Sequence, residues 1–185
     1  IIEVASAARN SDVMPSLGGN GIDTFYKREE APFTFPNGCH AAEVEIDPDT
    51  GSLKLVNYVM VDDYGTLVNP ALTEGQLHGG VVQGIGQALE EFVAFDPDSG
   101  QLLSGSLMDY TAPRAASFPF FKAHFQGVPT EANLLGVKGV GQAGCIAAPQ
   151  VITHAVLNAL QVYNIDHIQM PITSQSLWRS IQAAS

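Results

Sequence analysis

The sequence predicts an α+β fold of mixed hairpin strands and helices, and three observations predict it. Two strand-like runs, Cys39 to Asp47 and Leu53 to Val61, flank the turn Asp47-Pro48-Asp49-Thr50-Gly51. Two other segments, Glu74 to Phe92 and Pro149 to Gln161, repeat apolar residues at three- and four-residue steps. The hairpins follow one another instead of alternating with helices, which is wrong for a parallel βαβ domain.

Composition narrows the function. With 185 residues the chain is one domain or a piece of a larger one, and 45% hydrophobic residues suffice for a core. Against 8 basic residues stand 19 acidic ones, a formal net charge of −11. No basic stripe exists to release counterions, which argues against a general nucleic-acid binder and against an anionic membrane surface. No run approaches the roughly 18 apolar residues of a membrane span. The start, Ile1-Ile2-Glu3-Val4, has no Met, basic flank or apolar signal core, so the chain is expected to begin inside a longer gene product. Cys39 and Cys145 make neither a disulfide framework nor a zinc cage, and a reducing compartment is the expectation.

In chain order, Ile1 to Ala8 reads as the end of a helix, and Met14 to Gly21 as a turn-rich loop. Phe33 to Gly38 is an aromatic loop. In the first hairpin Ala42, Val44 and Ile46 alternate with Glu43 and Glu45, so the acids read as a solvated sheet face. Asp62-Asp63 has the composition of a metal or acid–base pair, yet such pairs more often cap a turn. The helix from Glu74 to Phe92 buries Leu77, Val81, Ile85, Ala88 and Phe92, and gathers Gln76, Gln83 and Gln87 on another face. Gly79, Gly80, Gly84 and Gly86 each cost about 0.8–1 kcal/mol in a helix interior. Close helix packing would offset that cost, and so would a ligand on the glycine face with Gln83 bonded to it. His78 has no partner at metal-ligand spacing.

A second hairpin is expected over Phe92 to Tyr110, turning at Asp96 to Gly100. Ala112 to Pro129 reads as an extended loop and edge strand. Ala147-Ala148-Pro149 is expected to open the next helix with proline in its first turn, and Ile152, Ala155, Val156, Ala159 and Leu160 form its buried stripe. Ile165 to Met170 looks like a closing strand, and Gln175 to Ala183 a terminal helix anchored by Trp178.

Leu135 to Cys145 organises the rest. It packs Gly136, Gly139, Gly141 and Gly144 around Lys138 and Gln142. Glycine supplies no side-chain contact, so the backbone here must approach something closely or adopt positive φ. A glycine-rich loop feeding a helix N-terminus suits an anion. Spacing leaves a phosphate- or cofactor-holding loop and a tight, ligand-free turn both open. Gly139 to Gly144 also fits G-x-G-x-x-G, with Asp166 where a ribose-binding acid would fall. However, Asp166 precedes the next strand-like segment instead of ending it, and too little chain follows to complete a doubly wound half. No Ser/His/Asp set stands out, and His40, His78, His124, His154 and His167 are scattered. A metal bound here must arrive already ligated by a cofactor.

Four stretches, in this order, carry a resemblance: Pro36-Asn37-Gly38-Cys39-His40; Gly75-Gln76-Leu77-His78-Gly79-Gly80-Val81-Val82-Gln83-Gly84-Ile85-Gly86-Gln87-Ala88-Leu89; Met108-Asp109-Tyr110 with Pro113-Arg114; and Gly136-Val137-Lys138-Gly139-Val140-Gly141. Together they resemble the C-terminal part of the molybdenum-binding large subunit of the xanthine dehydrogenase / aldehyde oxidase / aerobic carbon monoxide dehydrogenase family. The resemblance spans nearly the whole chain and is closest to the bacterial branch that uses molybdopterin cytosine dinucleotide.

The resemblance implies that residues 1–185 are the C-terminal portion of a molybdopterin-binding domain, with molybdenum held by the pterin dithiolene and no protein metal ligand. Gln83, Gly84, Lys138, Gly139, Val140, Gly141 and Gln142 are its implied cofactor-binding residues. It implies oxidation of an aldehyde or N-heterocycle with water as oxygen source. Implied partners are the upstream part of the subunit, an iron–sulfur subunit and an FAD subunit in an oligomer. The implied location is cytoplasmic, or periplasmic by way of a partner subunit's signal. One departure stands out. The family reads G-V-G-E-A-G, its glutamate being the general base, whereas this chain has Gln142. A neutral amide accepts no proton in the working range, so hydroxylase turnover is expected to be weak or absent. A non-catalytic relative that keeps the scaffold is the alternative. Cys145, where the branch often has Thr, is expected to be buried and inert.

Overall fold

The structure is a computed structural model that describes residues 1–3, 6 and 32–184. The chain divides into two compact units, Ile1–Pro32 and Phe33–Ser185. Of the helix expected over Ile1 to Ala8, Ile2, Glu3 and Ser6 are described and helical. Its other residues, apart from Ile1, and the loop from Met14 to Gly21 lie outside the described residues. The second unit carries the sheet and the longer helices.

Strands β1 (Asn37–Ile46) and β2 (Leu53–Asp63) form the expected antiparallel hairpin. Its turn is locally encoded. The Asp47 carboxylate accepts from the Asp49 N–H at 2.9 Å and the Thr50 hydroxyl at 2.8 Å, and Gly51 takes φ +68°. Glu43 and Glu45 face solvent while Ala42, Val44 and Ile46 turn inward. The other edge of β2 pairs in parallel with the short β3 (Lys122–Phe125), giving the order β1-β2-β3.

Helix α1 (Pro70–Leu89) starts a turn earlier than its apolar period announces. Asn69 caps it, its side chain accepting from Leu72 N–H at 3.1 Å, and Pro70 needs no N–H partner there. The helix also ends sooner. Glu90 and Glu91 both donate to the Gly86 carbonyl, so Phe92 falls outside and is exposed. The buried stripe is Leu77, Val81, Ile85 and Ala88.

Helix α2 (Ala143–Leu160) corrects the expected start at Ala147. It opens directly from Gln142, and Pro149 lies in its interior. Such a proline removes one helical hydrogen bond and crowds the preceding turn. The compensation comes from α1. A Cβ on Gly84 would sit 2.8 Å from Ala148 Cβ, 2.9 Å from Pro149 Cδ and 3.1 Å from the Cys145 carbonyl. One on Gly80 would lie 3.1 Å from Cys145 N, and one on Gly144 would lie 2.5 Å from the Leu77 carbonyl. Three missing side chains therefore let the two helix backbones touch. Cys145 itself is only half-buried.

By length and composition, residues 143–163 make one helix among the described residues that could cross a membrane, contrary to the expectation of none. Counting uninterrupted apolar residues overlooks a helix made of small and apolar residues with few charges. Here Ile152, Val156 and Leu160 of that helix are core, packed with Tyr58 and Met60 of β2.

Two other expectations change. Ile165 to Met170 forms no strand. After Asn164 reverses the chain at φ +57°, this stretch has no ladder partner among the described residues and runs to Ile172, whose N–H bonds the Ala88 carbonyl at 2.7 Å. The terminal helix α3 (Ser174–Ala184) is anchored by Leu177 and Ile181, while Trp178 is 41% exposed and its backbone covers Gly51. The second hairpin shrinks to a single bridge, Phe95 to Leu102.

The glycines of α1 thus separate by environment, and substitution tests this. Gly84→Val is expected to lower stability by about 1–3 kcal/mol through overpacking. Gly79→Ala, where a Cβ meets nothing within 4 Å, is expected to raise it by about 0.8–1 kcal/mol. Denaturant midpoints of the two variants would check the opposite signs.

Candidate cofactor site

The end of β2 sends its two aspartates in opposite directions, as alternation along a strand requires. Asp62 points inward and is 3% exposed. His40 Nε2 lies 3.1 and 3.2 Å from its two oxygens, and His40 Nδ1 lies 3.0 Å from the Tyr58 hydroxyl. A neutral imidazole protonated on Nε2 satisfies both contacts: it donates to the carboxylate and accepts from the phenol, a tautomer assigned from the network. Gly38 faces Asp62 in the ladder, and any Cβ there would collide with the carboxylate. Burial, and then the charge of Asp62, push the phenols of Tyr58 and Tyr64 up. Among the described residues the buried Tyr64 hydroxyl has no partner in bonding geometry, although it lies close enough to Asp62 to feel that charge.

Asp63 points outward and holds the glycine loop. Its Oδ2 receives Lys138 Nζ at 2.5 Å, and its Oδ1 accepts the N–H groups of Gly65 and Val128, each at 2.8 Å. Lys138 foremost, then these N–H groups, hold the carboxyl well below the usual carboxylate range. Asp63 therefore closes a turn, and the pair is neither a metal site nor an acid–base couple.

The loop itself has two halves. Gly136 adopts φ +65°, and its carbonyl accepts from Thr66 N at 2.9 Å and Thr130 N at 3.2 Å. Val137 bridges Gly65, and Lys138 N–H bonds the Tyr64 carbonyl at 2.9 Å. This half is fixed to the end of β2. The other half, Gly139 to Gln142, runs out to the start of α2. Gly139, Gly141 and Gln142 are exposed, and the Gln142 side chain makes no capping bond. Gln76 of α1 reaches across, its Nε2 donating to the Gly141 carbonyl at 2.7 Å.

Beside that bond lies open space. A Cβ on Gly75, Gly79 or Gly141 would meet nothing within 4 Å. Gly75, Gly79 and Gln83 fall on one i, i+4 row of α1, and Gln83 is exposed. The result is an open strip of backbone beside the Gln76–Gly141 bond, with Gln83 farther along the same helix and Gln142 exposed at the start of α2. In the first turn of α2, Ala143 N–H bonds the Val140 carbonyl at 3.1 Å and Ile146 N–H the Gln142 carbonyl at 3.0 Å, while Gly144 packs on α1. Among the described residues no group of three or more His, Cys, Asp or Glu could hold a metal ion. The amides there are hydrogen-bond donors suited to a ligand rich in acceptors.

A family model described as the molybdopterin cofactor-binding domain matches residues 3–119. The chain belongs to that family. It is 33% identical over 162 residues to the carbon monoxide dehydrogenase large chain of Hydrogenophaga pseudoflava, covering 88% of this chain and 20% of that one. It is 39% identical over 146 residues to the nicotine 6-hydroxylase large subunit of Paenarthrobacter nicotinovorans, covering 79% and 18%. The quinoline 2-oxidoreductase structure from Pseudomonas putida 86 aligns with a TM-score of 0.76 at 39% identity, over 80% of this chain and 19% of that one. The chain thus spans about a fifth of the length of the relatives it matches. They bear out the molybdenum hydroxylase large-subunit resemblance and the α+β class.

Against this family the implied site residues sort by position. Gly139, Val140, Gly141 and Gln142 form the outer half of the loop, and Gln83 lies on the open row of α1. Lys138 is tied to Asp63 rather than turned toward the strip, and Gly84 is filled by α2. Two parts of the site are not evident from the sequence. Gln76 shares the Gln83 face, but only the fold brings it to Gly141. His40 stands in the Pro-Asn-Gly-Cys-His run, where its two-residue spacing from Gly38 puts both on the Asp62 side of β1.

Two outcomes are expected of these networks. His40→Ala leaves the Asp62 carboxylate buried and unpaired and is expected to cost about 3–5 kcal/mol in chemical denaturation. Because the Asp63 pKa is lowered by folding, its stabilisation is complete above the ordinary carboxylate range and is lost as pH falls through and below it. Lys138→Gln is expected to flatten the decline of the unfolding midpoint between pH 5 and pH 2 (~one carboxylate's share), while leaving the slope above pH 6 unchanged.

Proposed function

We propose that the chain forms the wall of a molybdenum hydroxylase catalytic site that grips a molybdopterin, in the cytosine dinucleotide form. The observation that carries this is the strip at Gly75, Gly79 and Gly141, left without side chains and held at one point by the Gln76 amide on the Gly141 carbonyl. Bound there, the cofactor would supply two-electron redox chemistry with water as oxygen source. The chain's own residues do the holding. Gly79 and Gly141 admit the ligand to the backbone, and the Gln83 amide donates to its acceptors. Lys138, clamped by Asp63, keeps the loop at the height the strip requires. Two of the relatives act on nicotine and quinoline, both N-heterocycles, which favours an N-heterocycle as substrate. Iron–sulfur and flavin subunits would complete the electron path.

Gln142 favours a second reading, a scaffold that holds cofactor without turnover. Its amide stands exposed at the mouth of α2, placed to hydrogen-bond but unable to take a proton. Gln142→Glu in the assembled complex separates the readings. A gain of about 10²–10⁴-fold in oxidation of a heterocycle or aldehyde supports the enzyme, and no gain supports the scaffold. In either case molybdenum per subunit stays constant in this variant and falls in Gly79→Val. An assembled wild-type complex free of both molybdenum and pterin would defeat both.

A further inference from the structure

Val140 to Ala143 is a four-residue turn that carries the chain from the glycine loop into α2. Ala143 N–H closes it on the Val140 carbonyl at 3.1 Å. Its central residues are Gly141 and Gln142. Gln142 takes φ −117° and ψ 1°, and Gly141 has no positive φ, the values of a type I turn. Both ends of the turn are fixed. Val140 and Ala143 pack against the core, and the Gln142 carbonyl accepts the Ile146 N–H at 3.0 Å. The central peptide, Gly141–Gln142, is the part that packing leaves open. Gly141 has no side chain, and a Cβ there would meet nothing within 4 Å, so contact does not hold that peptide. Type I and type II turns differ by its rotation.

A hydrogen bond holds it instead. Gln76 lies 65 positions earlier, on α1, and its Nε2 donates to the Gly141 carbonyl at 2.7 Å. The oxygen of the Gln76 amide would repel that carbonyl, so the nitrogen is the atom that fits there. A trans peptide is planar, and fixing its carbonyl fixes its N–H and the next Cα with it. The side chain of residue 142 therefore leaves the backbone in a direction that Gln76 sets. That side chain makes no capping bond of its own to set it. Gln83 and Gln87 are exposed on the same helix face, and among the described residues neither ties a distant carbonyl in this way. We propose that Gln76 is a positioning residue for position 142, acting through the Gly141 carbonyl. That position 142 is where a reacting group stands rests on the cofactor reading, whereas the tether itself does not.

The test compares Gln76→Met, which keeps the length but has no donor, with Gln76→Lys, which restores one. Methionine and lysine suit a helix about as well as glutamine, and Gln76 is exposed, so the thermal melt is expected to stay unchanged. Amide exchange is read first, in the assembled complex purified from cells unable to make molybdopterin. Gln76→Met is expected to speed exchange at Ala143 and Ile146 roughly threefold to tenfold, the range that one lost hydrogen bond allows. Gln76→Lys is expected to bring it back toward the wild-type rate. Turnover per molybdenum is read second, with Gln142→Glu in place. There Gln76→Met is expected to lower kcat roughly 10- to 10²-fold, as misplacing a reacting group by about 1 Å does, with KM unchanged and Gln76→Lys recovering most of the loss. Exchange unaltered by Gln76→Met, no recovery with Gln76→Lys, or a kcat that stays level while KM rises would each overturn the proposal. A Gln142→Glu complex without turnover counts against the enzyme reading alone, and the cofactor-free exchange then decides the tether.

Discussion

Two helices meet where their side chains are missing, and the rest of the molecule is set by that contact. Gly80 and Gly84 of α1 lie against Gly144, Cys145 and Pro149 of α2 with no side chain of their own between. Ordinary helix pairs are held about 8–10 Å apart by the residues at the contact. A pair spaced by larger side chains would carry the start of α2 away from α1, and with it Gly141, whose carbonyl is held by Gln76 at 2.7 Å. The crossing therefore places the loop. It also explains how α2 tolerates an interior proline, since the ring fills the notch that Gly84 leaves.

The end of β2 places the same loop from the other side. Alternation gives each aspartate one task. Asp62 is sealed with His40 and Tyr58 beneath the sheet, and Asp63 receives Lys138 and two N–H groups above it. A buried carboxylate with a single imidazole partner is costly to disturb, so the interior network makes β1 and β2 one rigid plate. The outer pair then moors the glycine loop to that plate. Both carboxylates are thus engaged within the fold, apart from the open glycine row of α1.

A site of that composition binds by shape and by donors rather than by charge. Lys138 is already neutralised by Asp63, and the chain as a whole is acidic. Gln142 puts an exposed amide, able to hydrogen-bond but not to take up a proton, at the start of α2.

Sequence alone determined what is local. The Glu43/Glu45 face, the Asp47 turn, the Leu77–Ala88 stripe and the family motifs depend on neighbours within one or two turns, where period and turn chemistry speak directly. Tertiary structure decided which glycines serve packing and which lie open: Gly80, Gly84 and Gly79 look alike in sequence, and only the partner helix about 65 residues on distinguishes them. It decided likewise that α2 begins at Ala143, that Ile165 to Met170 lacks a ladder partner among the described residues, and that Lys138 belongs to Asp63, 75 positions away. Each of these turns on what approaches from a distant part of the chain, and a local pattern carries no record of that approach.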